Sequence, residues 1–176
     1  ERARMISGLT LLGAEEASTD RRNWSYVVLA ENLRKVSANP RADAAELFRR
    51  MCFNALISNT DDHPRNHALI AFDRQWQLSP AYDLNPAPLV SIERRDLAME
   101  CGDYGRFANR LNLLSQCRRF LLDPEEAKAI LHETESVVRH FWYDTARACG
   151  VTDGDCRQIE GAFAYPGFRR KVGADR

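Results

Sequence analysis

The stretch Asn59-Thr-Asp-Asp-His-Pro-Arg-Asn-His67, followed by Ala68-Leu-Ile-Ala-Phe-Asp73 and then Trp76-Gln-Leu-Ser-Pro-Ala-Tyr-Asp83, decides how the chain is read. It gathers Asp61, Asp62, His63, Asn66 and Asp83 around two short apolar runs. The Asp-x-x-x-x-Asn spacing of Asp61 and Asn66 is that of a kinase catalytic loop, where the aspartate accepts the substrate hydroxyl proton and the asparagine holds magnesium. Residues 68–72 and 75–79, separated only by Asp73-Arg74, predict a small hairpin, although this turn lacks the glycine or asparagine that two-residue connections favour. Such a hairpin folds Asp83 back beside Asn66. Pro80, Pro86 and Pro88 are expected to keep the following segment extended and rigid.

Working upstream, residues 43–46 read as a capping box, with Asp43 as cap and Glu46 reaching back. Ala44, Leu47, Phe48, Met51 and Ala55 then recur at helical spacing, and the run becomes apolar nearly all round by Phe53 to Ile57, so its last turns should be buried. This helix delivers Asn59 and Asp61 at its end, and Pro64 stops it from continuing. Tyr26, Val27, Leu29, Ala30, Leu33 and Val36 give an earlier helical stripe, closed by Asn39-Pro40. Residues 18–23 are polar and read as a loop. The apolar run Met5, Ile6, Leu9, Leu11 and Leu12, ending at Gly13, fits a short helix or an extended segment equally.

Downstream the pattern is helical. Residues 109–122 carry Leu111, Leu114, Cys117, Phe120 and Leu121. Asp123-Pro124-Glu125-Glu126 is a strong start signal for a long helix ending near Cys149-Gly150, with proline at the first helical position. A last helix over residues 153–163 precedes a basic tail of Arg169, Arg170 and Lys171. The expected fold is mainly α within an α+β class: a helical lobe with one small hairpin after the loop.

Composition narrows the function. A chain of 176 residues suits one domain with a real core. Twenty-five basic residues balance twenty-five acidic ones, so no global field argues for nucleic acid or an anionic membrane. No apolar run approaches the roughly 20 residues of a membrane span. Five scattered cysteines without a Cys-x-x-Cys pair favour reduced thiols in a cytoplasmic compartment over a disulfide framework or zinc site. His63 is expected to orient the loop by hydrogen bonds, His67 to start the hairpin, and Asp62 to be an exposed turn residue. His132 and His140 read as surface or packing residues. Arg94-Arg95, Arg118-Arg119 and Arg169-Arg170-Lys171 read as solvated faces, and Trp24, Trp76 and Trp142 as packing residues.

Ser58-Asn-Thr-Asp-Asp-His-Pro-Arg-Asn-His67, with Trp76-Gln-Leu-Ser-Pro-Ala-Tyr-Asp-Leu-Asn-Pro86, resembles the C-terminal lobe of the HipA family of serine/threonine protein kinases, toxins of bacterial type II toxin–antitoxin modules. Leu9-Thr-Leu-Leu-Gly13, Asn112-Leu-Leu114 and Asp123-Pro-Glu-Glu126 fit the same resemblance. It implies that Asp61 is the catalytic base and that His63, Pro64, Arg65 and Asn66 line the phosphate side of ATP. Tyr82 and Asp83 would complete the nucleotide site, with Asn66 and Asp83 on Mg2+. The implied partners are a protein substrate with a Ser or Thr, a small DNA-binding antitoxin and, only through it, operator DNA. No Gly-rich phosphate loop and no strand lysine of the Val-Ala-Ile-Lys kind occurs in the sequence. The resemblance assigns those parts to an N-terminal lobe, so residues 1–176 alone are expected to bind Mg-ATP weakly or not at all and to be inactive or weakly active. Two other classes compete: a metal-dependent phosphohydrolase with Asp61, Asp62, His63 and Asp83 as direct ligands, and a non-catalytic docking module.

Overall fold

The computed structural model describes residues 3–15, 21, 23–87 and 91–169. Pro88, Arg170, Lys171 and most of the expected loop over residues 18–23 lie outside them. Among the described residues, β1 (Arg4–Ser7) leads directly into α1 (Gly8–Leu12), so both readings of the first apolar run hold in succession. Ser7 makes the switch, because its side chain accepts the Thr10 amide as a helix cap. β1 then pairs antiparallel with β2 (Ala68–Phe72), which pairs antiparallel with β3 (Gln75–Leu78). The hairpin is as expected, and β1 extends it to three strands. Leu69 and Leu78 face each other across the ladder and are both buried against the helices. Asp73 and Arg74 both take positive φ, 47° and 67°, the geometry a two-residue hairpin requires whatever the residues.

The helical body is α2 (Tyr26–Val36), α3 (Pro40–Leu56), α4 (Arg110–Ser115), α5 (Pro124–Ala148) and α6 (Asp153–Ile159). The capping box at Asp43 is overturned. Pro40, with its φ preset and no N–H to satisfy, already occupies the first turn of α3, three residues earlier. Asp43 is thereby free to face the sheet, where its carboxylate accepts from the Ser37 hydroxyl (2.6 Å) and the Leu78 amide (3.0 Å). The box at Asp123 is present in full: Asp123 accepts from the Glu125 and Glu126 amides, and Glu126 accepts from the Asp123 amide. The helix expected over residues 109–122 is broken after Ser115 and resumes as a 3-10 turn, Cys117–Phe120. Asn112 and Ser115 spend their side chains on the 103–107 loop, and Leu121 closes the break in the left-handed region.

The core lies where α2, α3 and α5 meet. Leu29, Leu33, Leu47, Phe48, Met51 and Leu131 are fully buried there, and Phe48 sets its ring edge-on to Phe120 at 5.3 Å. Burying each such side chain stabilises the fold by about 1.5–3 kcal/mol. Trp142 stacks on Phe163 at 4.5 Å, a packing role as expected.

Glu135 of α5 is buried beneath the C-terminal segment. Its Oε1 accepts from Arg139 Nε (3.1 Å) and Arg169 Nε (2.9 Å), and Arg110 stands 3.7 Å from Oε2. Burial alone pushes this carboxyl up, but the bonds and charges of Arg169 and Arg139 outweigh it and hold the group below the ordinary glutamate value. A depressed carboxyl stabilises the fold fully above the unfolded-state pKa of about 4.3 and loses that contribution as the pH falls through the lowered value. Glu135→Gln should therefore lower the urea midpoint at pH 7 and flatten the acid limb of a stability–pH curve below about 4.3. An acid limb unchanged by the substitution would show that the guanidinium cluster contributes nothing.

Candidate functional site

α3 ends at Leu56, and Ser58 turns the chain back through a left-handed conformation, φ 58°. A non-glycine residue there needs support from its surroundings. The Ser58 hydroxyl donates to Ala162 O (2.5 Å) and accepts from Arg95 Nη1. Arg95 also reaches Ser91 O (2.8 Å), Ala162 O (3.1 Å) and Gly161 O (2.5 Å), and its guanidinium lies 4.1 Å from the Tyr165 ring centre. Arg95 is 3% exposed, so the expectation of a solvated face is corrected for it. Burial lowers its pKa, with the guanidinium's donors met by carbonyls instead of water.

Beyond the turn, two adjacent aspartates go opposite ways. Asp61 is exposed, and no hydrogen bond among the described residues engages its side chain. Asp62 is 1% exposed, which overturns its reading as an exposed turn residue. Its Oδ2 accepts from the Tyr26 hydroxyl and lies 2.8 Å from His67 Nε2. Those two partners, one on α2 and one just before β2, are what make the burial possible. Tyr26 is itself held neutral, its pKa raised well above the usual value by burial and then by the Asp62 charge. His67 does start the hairpin, and its ring also packs edge-on to Tyr26 at 5.4 Å. His63 is held by packing rather than hydrogen bonds: it is half-buried, edge-on to Trp24 at 6.3 Å, with Nδ1 buried and unpartnered.

A polar chain continues from this clasp. Asn54 donates to the Tyr26 hydroxyl (3.3 Å), and Asn59 donates both to Asn54 Oδ1 (3.2 Å) and to the backbone carbonyl of Asp83 (3.1 Å). Tyr82 adds a second tie, its hydroxyl donating to Arg65 O at 2.5 Å. The hairpin and these bonds bring the Asp83 segment to the loop that carries Asp61 and Asn66. Pro64 opens a 3-10 turn, Pro64–Asn66, in which Pro64 and Asn66 are buried and Arg65 is exposed. Asp83 takes φ 58° and accepts from Asn85 Nδ2 (2.6 Å). Sequence reasoning missed Tyr26, Asn54 and Arg95. Asn54 could have been found, because an amide inside an apolar last turn must find partners. Nothing local marks Tyr26 or Arg95.

The donor set suits a hard cation. Asp83 contributes carboxylate oxygens, and no hydrogen bond among the described residues engages the side-chain amide of Asn66. Magnesium takes only one or two ligands from protein when phosphates and water supply the rest. By contrast, no three His, Cys, Asp or Glu side chains among the described residues converge on one point, and Asp62 faces inward, its Oδ2 held by Tyr26 and His67. A cage built from Asp61, Asp62, His63 and Asp83 does not fit. The five cysteines are free, with Cys149 exposed and the others buried.

The described residues form a mainly helical body with a small three-stranded antiparallel sheet. The sequence profile of the HipA-like C-terminal domain matches residues 1–142, and the chain belongs to that family. Two proteins of Sinorhizobium fredii (strain NBRC 101917 / NGR234) with provisional kinase names share shorter stretches. Y4dM is 54% identical over 58 residues, covering 32% of this chain and 14% of its own length. Y4mE is 37% identical over 54 residues, 31% of this chain and 13% of its own. A chain from the solved complex of the toxin–antitoxin proteins HipA and HipB with operator DNA, from Shewanella oneidensis MR-1, superposes with a TM-score of 0.70. That match covers 92% of this chain and 41% of the solved one at 16% identity, a likeness of fold.

Asp62→Ala should leave the Tyr26 O–H and the His67 Nε2 without their buried acceptor, at about 1–3 kcal/mol for each donor left unpaired. Tyr26→Phe should cost about as much as one of them, and the double variant should fall short of the sum because the partners are shared. Urea denaturation of the three variants measures this directly; an Asp62→Ala chain as stable as the parent would remove the clasp from the argument.

Proposed function

We propose that this chain is the catalytic lobe of a HipA-like serine/threonine protein kinase, with Asp61 as the base that orients and deprotonates a Ser or Thr hydroxyl. The observation that carries this reading is the sorting of two adjacent carboxylates. Asp62 is fixed and buried, while Asp61 projects from the same clamped loop, exposed and unbonded. A base needs both a rigid mount and an open face. Asn66 and Asp83 would hold Mg2+, and His63, Pro64, Arg65, Asn66 and Tyr82 would line the phosphate side of ATP. Mg2+ on the phosphates supplies charge neutralisation in phosphoryl transfer. The chain's own contribution is positional: the loop aims Asp61, and the Asp83 segment is tied to that loop through Asn59 and Tyr82.

The reading extends to partners and place. The structural likeness to a chain of a HipA–HipB–DNA complex supports an antitoxin-type DNA-binding partner, with operator DNA engaged only through it. Free cysteines, four of them buried, fit a reducing cytoplasm. We also infer that this lobe needs the phosphate-covering parts of a kinase, a Gly-rich loop and a lysine, for full activity, so residues 1–176 alone should bind Mg-ATP weakly.

Calorimetry of Mg-dependent ATP binding, on this chain and on the full-length product of its reading frame, tests the proposal. Binding is expected to be strong in the full-length protein and abolished by Asp83→Ala. Asp61→Asn should keep ATP binding and slow phosphoryl transfer about 10²–10⁴-fold. Transfer at the parental rate in Asp61→Asn would overturn the assignment, and absence of ATP binding in full-length protein would favour a docking module.

A further inference from the structure

The segment that carries Asp83 stands off the body of the domain. Residues 80–85 are all exposed. Behind Ala81 and Leu84 runs a groove of about 310 Å³, walled on its other side by Phe53 of α3 and by Thr134 and Val137 of α5. Apolar packing therefore holds this strap weakly, and its position rests on polar bonds. Two tie its middle to the loop, from Tyr82 to Arg65 O and from Asn59 to Asp83 O, and beyond it the Ala87 amide donates to Ser58 O at 3.2 Å. Another fixes its origin: Arg50 Nη2 donates to Ser79 O at 2.6 Å.

Arg50 is built as a spacer. It sits on α3 at 8% exposure, and its Nε donates to Glu46 Oε1 at 3.0 Å one turn earlier on the same helix. One edge of the planar fork is thus locked to α3 while the other reaches across to the strap, an arrangement a flexible ammonium cannot copy. The accepting residue is equally fixed, since Ser79 is buried and its amide donates to Ala68 O at 2.8 Å. Arg50 also lines the groove beneath the strap, and its Nη1 is buried without a partner.

We propose that Arg50 is a positioning residue: through the Ser79 carbonyl it sets where the strap leaves the sheet, and hence where the Asp83 carboxylate stands relative to Asn66. The proposal rests on the kinase reading for the consequence of moving Asp83, and on the geometry alone for the control of the strap.

Arg50→Met keeps the length and apolar stem and removes every donor, whereas Arg50→Lys keeps one donor for Ser79 O. In this chain, NMR backbone order parameters over residues 80–85 should fall in Arg50→Met toward the flexible range below about 0.6, with α3 unchanged. In the full-length protein, the Mg2+ concentration for half-maximal ATP turnover should rise about tenfold, the scale of losing an outer partner of a metal ligand. Arg50→Lys, whose ammonium can reach Ser79 O but lacks the fork locked to Glu46, should show a smaller loss in the same direction on both readouts, and it carries the test if Arg50→Met fails to fold. A mere staple between helix and sheet would lower the unfolding midpoint and leave strap order and Mg2+ requirement at parental values; that pattern overturns the proposal. A loosened strap in a protein whose parental form never turns over ATP would sustain the positioning role and refute the kinase reading instead.

Discussion

The site depends on one buried charge. A carboxylate taken out of water is tolerated only when hydrogen-bond donors replace the lost solvation, and Asp62 finds its two donors on different parts of the fold. Tyr26 is the first residue of α2, placed there by the Ser25 cap, and His67 is the last residue before β2. The bond pattern therefore registers three pieces against one another: the start of a helix, the loop and the edge of the sheet. β1 and α1 close over the same spot. The Gly8 amide donates to His67 O (2.6 Å), and a side chain at Gly8 would collide with the Pro64 carbonyl, so only glycine allows α1 to begin so near the loop.

At the other end of the loop the logic is inverted. Arg95 is a buried cation with no carboxylate among its described bonds; three backbone carbonyls and the Ser58 hydroxyl surround it. It ties the strained Ser58 turn to residues 161–162, far along the chain. Between an anion clasp at Asp62 and a cation clasp at Ser58, the intervening residues have little freedom, and Asp61 lies among them. Two residues of identical chemistry, neighbours in sequence, thus come to opposite duties because one points into a donor-lined interior and the other into water. A metal cage is the poorer reading because no three His, Cys, Asp or Glu side chains among the described residues converge on one point.

How much of this was legible follows the range of the physics involved. Local rules served well in places: Asp123 with Pro124 and Glu126 announces α5, and the two-residue gap at Asp73-Arg74 announces the hairpin, whereas α3 ends at Leu56 and turns at Ser58, well before Pro64. Asp43 shows where local rules compete. It forms a fair capping pattern with Glu46, but Pro40 starts the helix first, and the sheet then claims the aspartate. The loop motif itself was readable, and the family match agrees with it. What could not be read were partners fixed by tertiary contact. Asp62 looked like any turn aspartate because Tyr26 lies 36 positions away, and Arg94-Arg95 looked like a solvated pair because nothing near it predicts the carbonyls of residues 161–162.

These constraints divide the site into unequal halves. The loop with Asp61 and Asn66 is clamped by buried charges at both ends, whose rearrangement would expose or orphan costly groups. The Asp83 strap has no buried charge of its own; it is exposed, bridges a groove, and is held by single hydrogen bonds from Arg50, Asn59, Tyr82 and, just beyond it, the Ala87 amide. Regions with few apolar contacts and exposed backbone are the ones that open locally at low cost. On the phosphoryl-transfer reading proposed above, a reaction that depends on placing charges in line would take its frame from the fixed half and be sensitive to small displacements of the tethered half. The physical asymmetry between loop and strap would then make Asp83, more than Asp61, the point at which the rest of the domain acts on the chemistry.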